Sequence, residues 1–80
     1  MKIRNIQLDD NELPETVTVE MTIGEAAFIA KVCGGLSRNT AIEQHGPIGA
    51  HHDDIYDSLT GGLFNRFWED GIDDALRVIL

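Results

Sequence analysis

The chain has one cysteine in 80 residues, so no disulfide can form within it. Basic residues are scarce. Six Lys and Arg stand against 14 Asp and Glu, a formal net charge of -8. A field of that sign repels nucleic acid and anionic lipid. The expected partners are therefore a basic protein surface, or a small ligand held by a few local cations. No apolar run approaches the ~18 to 20 residues of a membrane span. Residues 1–8 mix polar and apolar side chains and do not read as a signal peptide. With the lone Cys33, this points to a reducing, cytoplasmic setting. G-x-S-x-G, Walker, H-E-x-x-H and C-x-x-C motifs are all missing. The expectation is a protein that is not an enzyme and that needs no cofactor.

What is present is ordinary globular composition, 42% hydrophobic and 25% charged. Eighty residues make one domain, 1–80. A core of this size supplies only about 3 to 5 kcal/mol, and small domains are commonly reinforced by disulfides, a metal or association. With no disulfide available, a homo-oligomer is expected.

The pattern of residues reads as an α+β fold, an N-terminal β-hairpin followed by two main helices. The first strand, 2–8, carries Ile3, Ile6 and Leu8 in imperfect alternation. The polar stretch Asp9-Asp10-Asn11-Glu12 before Pro14 is a turn. The second strand, 15–22, places Val17, Val19 and Met21 on one face, a half-buried pattern. Thr22-Ile23-Gly24-Glu25 matches a capping box and opens a helix over 23–33. That helix is apolar nearly all round, which implies burial on more than one side, the second against another subunit. Gly34-Gly35 reads as a left-handed stop. Residues 36–50 read as an irregular loop with one short helical turn from Thr40, ended at Gly46-Pro47. A second helix is expected over 52–69, interrupted at Gly61-Gly62 by a kink or by close approach of another backbone, and closed by Gly71. Residues 73–80 suit a helix and a strand equally.

Candidate functional residues are few. His45, His51, His52, Asp53 and Asp54 are the one dense patch of metal-ligand types, but adjacent histidines diverge and no metal site is expected. Nothing in the sequence joins Cys33 to those histidines as nucleophile and base, so Cys33 reads as a small buried residue. Asn65-Arg66-Phe67-Trp68 is the most informative stretch. Arginine clamps phosphate, an aromatic face stacks on a base, and an amide reads a base edge. Arg66, Asn65 and Trp68, with Tyr56 and the second anion anchor Arg38, form the expected ligand-binding set. The competing reading makes Phe67 and Trp68 core and pairs Arg66 with Glu69 or Asp70.

Two stretches, VTVEMTIGEAAFIAKVCGGL from Val17 and IYDSLTGGLFNRFWEDG from Ile55, resemble small proteins of actinobacterial phages and prophages. In those proteins a strand runs into an "xEAAxxAxxxG" helix and an "IYDxL" helix follows. In layout and size the chain is also similar to the phage Thoeris anti-defence proteins, non-enzymatic oligomers that sequester cyclic ADP-ribose signals at subunit interfaces. The resemblance implies a host-cell countermeasure that binds a cyclic nucleotide immune signal as an oligomer. The charge alone suggests instead an acidic inhibitor that docks on the basic surface of a host defence protein. A plain assembly protein with no ligand is the third reading.

Overall fold

The computed structural model describes residues 1–79. Two antiparallel strands, β1 (Lys2–Leu8) and β2 (Pro14–Glu20), form a ribbon. The helices follow: α1 (Ile23–Gly34), α2 (Arg38–His45), a 3-10 segment (Gly46–His51), α3 (His52–Leu59), a π-helical segment (Thr60–Phe64), α4 (Asn65–Phe67) and α5 (Ile72–Ile79). This is the expected α+β class, a hairpin and then helices. No helix among the described residues is long and apolar enough to cross a membrane.

The hairpin turns through Asp9, whose carboxylate accepts from the amides of Asn11 and Leu13, and through Glu12 at a positive φ of 64°. Ile3 opposes Val19 and Ile6 opposes Val17, and opposed residues share a face. Ile3 and Ile6 are three residues apart. They reach the same side because the register shifts between Ile3 and Asn5, leaving Arg4 as the extra residue of a β-bulge. The irregular spacing of the two isoleucines is thus a regular face with one residue inserted, and a second shift, between Gln7 and Leu8, leaves Glu15 unpaired in β2. Leu8 continues that face by period two. Asn5, Gln7, Thr16 and Thr18 occupy the other. There Gln7 accepts from the Thr16 hydroxyl (3.3 Å) and Arg4 pairs with Glu20 (2.7 Å).

The expected half-burial of Val17, Val19 and Met21 is not what the strands show. Both strands are exposed along their whole length, and only Met21, just beyond β2, packs against the core. The physical reason is direction. Thr22 caps α1 immediately after β2, and the helices fold on one another instead of back over the ribbon.

Helix α1 begins as its sequence dictates. The Thr22 hydroxyl accepts from the Glu25 amide (3.1 Å) and the Glu25 carboxylate accepts from the Thr22 amide (2.9 Å), a complete capping box. The Met1 ammonium pairs with the same carboxylate. That ammonium, together with the Thr22 amide, holds the Glu25 carboxyl down to about 2. The helix buries only its small residues, Ala26, Ala27 and Ala30, while Phe28 is 61% exposed and Val32 is exposed too. Within one chain the alanine stripe alone faces the other helices. The left-handed stop at Gly34-Gly35 is corrected. Gly35 is right-handed (φ -83°), since its amide bonds back to the Lys31 and Val32 carbonyls and finishes the helix tightly.

Residues 38–50 are helical, not a loop. The cap is Ser37, whose hydroxyl accepts from the Thr40 amide (3.0 Å), so α2 starts before the expected turn at Thr40. It ends at Gly46, whose φ of 78° suits glycine. Gly49 then lies against the Ala41 carbonyl, so close that a Cβ would stand 2.3 Å from that backbone.

The Gly61-Gly62 interruption is a π turn. The Asn65 amide reaches the Thr60 carbonyl five residues back, and the Thr60 hydroxyl donates to the Tyr56 carbonyl (2.8 Å). A Cβ at either glycine would meet nothing within 4 Å, so close backbone approach is not the cause. The helix ends at Phe67, short of 69, because Trp68 is extended. Gly71, at φ 63°, makes the turn into the last helix, and Asn65 Oδ1 fills the space where a Cβ would stand. Residues 72–79 settle the helix-or-strand alternative as helix; Leu80 lies outside the described residues.

The core is small: Ala26, Ala27, Ala30, Ala75 and the fully buried Phe64, with Leu59, Leu63, Trp68, Ile72 and Leu76 packed around them. The Cα radius of gyration is 14.6 Å, whereas a compact chain of this length has about 12 Å. The projecting ribbon makes up the difference.

Candidate functional site

The five residues expected to bind a ligand are not gathered around one cleft. Trp68 is half-buried, packed on Phe64 with ring centroids 5.8 Å apart. Asn65 leans on the Gly71 turn. Arg66 is exposed, with its guanidinium 5.5 Å from the Phe67 ring centre, and the ion pairs of the described residues do not join it to Glu69 or Asp70. Arg38 is the exposed first residue of α2. Tyr56 lines a cleft of about 440 Å³ with Lys31, Gly34, Gly35, Ile72 and Asp73, and the other four do not border it. A Cβ at Gly34 would stand 3.3 Å from the Tyr56 ring, so the bare glycine lets the ring lie flat on α1.

Beside it, His52 ties α3 to the end of α1. Its Nε2 donates to the Cys33 carbonyl (2.6 Å), Nδ1 faces the Asp53 carboxylate (3.0 Å), and its ring stacks on Tyr56 at 6.0 Å and 16°. The side chain is only 9% exposed. Both ring nitrogens meet oxygen acceptors, which suits the doubly protonated form. The Asp53 carboxylate first, and the Cys33 carbonyl second, raise its pKa above the ordinary value. The positive charge also sits at the negative end of α1.

Sequence reasoning found nothing to bring Cys33 and the histidines together; the fold does so. Cys33, His45, His51 and His52 all line one shallow cleft of about 190 Å³, otherwise walled by Leu36, Ile48 and Ile55. Among the described residues, however, no three metal-ligand side chains converge on a point. Both His52 nitrogens are already engaged.

The largest feature that the sequence left unread is apolar. The ribbon face carrying Ile3, Ile6, Leu8, Val17 and Val19 is uncovered, each of the five being a third or more exposed. It continues past the strand ends into two open clefts. Met1 lines one of about 510 Å³ with Phe28 and Ile29. Met21 lines the other, about 380 Å³, with Ile29, Ile55 and Leu59. Ile29 belongs to both, so Met1 and Met21 at the base of the ribbon meet α1 and α3 in one mainly apolar corner, which also carries Glu25 and Asp54. Soluble monomers seldom leave contiguous apolar surface of this kind bare, and where it occurs it marks an interaction site. Comparison of the chain with protein-family models, with curated proteins and with solved structures gives no match in any of the three.

Proposed function

We propose that the chain is a non-enzymatic binding protein that works by associating with protein through the ribbon and the corner at its base. One observation carries this reading: an aliphatic face, with Ile3 paired to Val19 and Ile6 to Val17 across a bulge, lies in solvent. An isolated two-stranded hairpin is marginally stable in water and needs a cover for its apolar side. Thus the ribbon is built to be covered. Cross-linking followed by native mass measurement of protein purified from cells tests the reading. A partner, or a second copy, retained on the protein is expected. A monomer that holds nothing at millimolar concentration would sink it.

A second reading is favoured by the cleft at Tyr56. Its volume falls in the range of small-molecule sites, roughly 300 to 1,000 Å³, and it sets the Tyr56 ring beside Lys31. With the resemblance to anti-defence sponges, this supports sequestration of a cyclic nucleotide. Calorimetric titration with cyclic ADP-ribose isomers and cyclic oligonucleotides decides it. Binding abolished by Tyr56→Ala in a protein that stays folded is expected, and no heat from any of these ligands would discard the sponge.

A further inference from the structure

We infer that the occupant of the apolar ribbon and its corner is a second copy of this chain, seated by two-fold symmetry with the same surface of each copy against the other. The inference rests on the association reading above and names its partner.

Charge distribution singles out the second copy. The strands carry Lys2 and Arg4 against Glu15 and Glu20 and are neutral together. The hairpin loop, with Asp9, Asp10 and Glu12, carries -3, and residues 21–80 carry the remaining -5. Two like-charged copies approach most easily through their neutral parts, and the ribbon is the neutral part. Lys2, Arg4 and Glu20 lie away from the apolar face, Lys2 opposite Glu20 and Arg4 paired with it; Glu15, two residues before Val17, falls at the loop end of that face as its one charge. A basic partner would be drawn to the acidic loop and helices, not to this face.

Shape agrees with charge. The apolar surface is bent, a ribbon face running into a corner lined by Phe28, Ile29 and Ile55, with Glu25, neutralised by the Met1 ammonium, and Asp54 beside them. A seven-residue strand is roughly 23 Å long, so the ribbon of one copy reaches across the corner of the other. A two-fold pairing needs a self-complementary surface of this kind, each projection filling the other copy's recess. The core alone is also too small for comfort, four alanines and one phenylalanine, and association adds the aliphatic burial that it lacks.

The test compares two substitutions that place the same charge on adjacent residues of β2. Val17→Glu lies on the apolar face and Thr18→Glu on the polar one. Sedimentation equilibrium up to millimolar concentration reads the association, and circular dichroism checks that the helices persist. The native chain is expected to be a dimer. Val17→Glu should weaken it by roughly 100-fold or more, as burying an unpaired charge does, and Thr18→Glu should leave it unchanged. A second measurement does not depend on the variants. Isotope-filtered NOEs between labelled and unlabelled copies should join the Ile6 and Val17 methyl groups to the partner. A dimer that survives Val17→Glu, or is broken equally by both substitutions, or shows no such NOEs, overturns the inference, because another face then carries the dimer. A monomer that binds a different protein through this face overturns the inference while the association reading stands. A monomer with no partner removes both.

Discussion

The ribbon and the helical body are built by opposite rules. In the body, short side chains bring backbones close: Ala26, Ala27, Ala30 and Ala75 let the helices meet around Phe64, and Gly49 lies directly on the Ala41 carbonyl. In the ribbon, large aliphatics are arrayed in register and touch little but each other. The body closes a small core within one chain, and the ribbon closes none. Substitutions in the body should therefore act on unfolding, and those on the ribbon's apolar face on association.

The largest expected effect is at the centre of the body. Phe64 is 0% exposed, and Phe64→Ala should cost about 3 to 5 kcal/mol, as much as such a small core provides. Urea titration of the far-ultraviolet signal would show it; a loss below 1 kcal/mol would mean that the body is not organised around this ring. Next comes Gly49→Ala. The new methyl has only backbone to push against, and overpacking of that kind costs about 1 to 3 kcal/mol. Gly61→Ala is its control, in open space in the same chain; thermal melts should separate the two.

Removing the α1 cap by Thr22→Ala should cost about 1 kcal/mol, visible as a lower urea midpoint. The smallest effect concerns pH. Because His52 is raised above 6.5 in the folded chain, its stabilisation is complete below that value and fades as pH rises through the folded pKa. Glu25, held down to about 2, behaves inversely, and its contribution is lost as pH falls from 4.5 toward that value. These groups sit at opposite ends of α1. Unfolding midpoints across the alkaline limb should slope downward in the native chain and flatten in His52→Gln.

Much of the body was legible in local pattern. Thr22-x-x-Glu25 is a cap that four residues complete by themselves, and the hairpin follows from a polar turn between two apolar-rich runs. Helix α2 read as no more than one turn from Thr40, because Ala41 and Ile42 are its only apolar residues and its cap, Ser37, has no acid three positions on. The π turn reads as a breaker in sequence, since two glycines are costly in a helix interior. The meeting of Cys33 with three histidines depends on α3 returning to the end of α1, a tertiary event with no local mark. Trp68 was offered as a ligand platform, and the structure packs it on Phe64. Alternation told which ribbon face is apolar; what covers a face is not written in its period.

The ribbon has a further consequence through its edges. In a two-stranded sheet both strands are outermost, so each presents a row of peptide groups without a neighbour, a template onto which other strands can add without limit. The acidic loop at its tip and the charge of -8 then act as a colloidal guard that holds stray copies apart. Salt shortens the reach of that guard to about 8 Å at physiological ionic strength. The acidity that first suggested a binding role is thus equally a keeper of solubility, and concentrated protein should cloud as salt is added and clear as it is dialysed away.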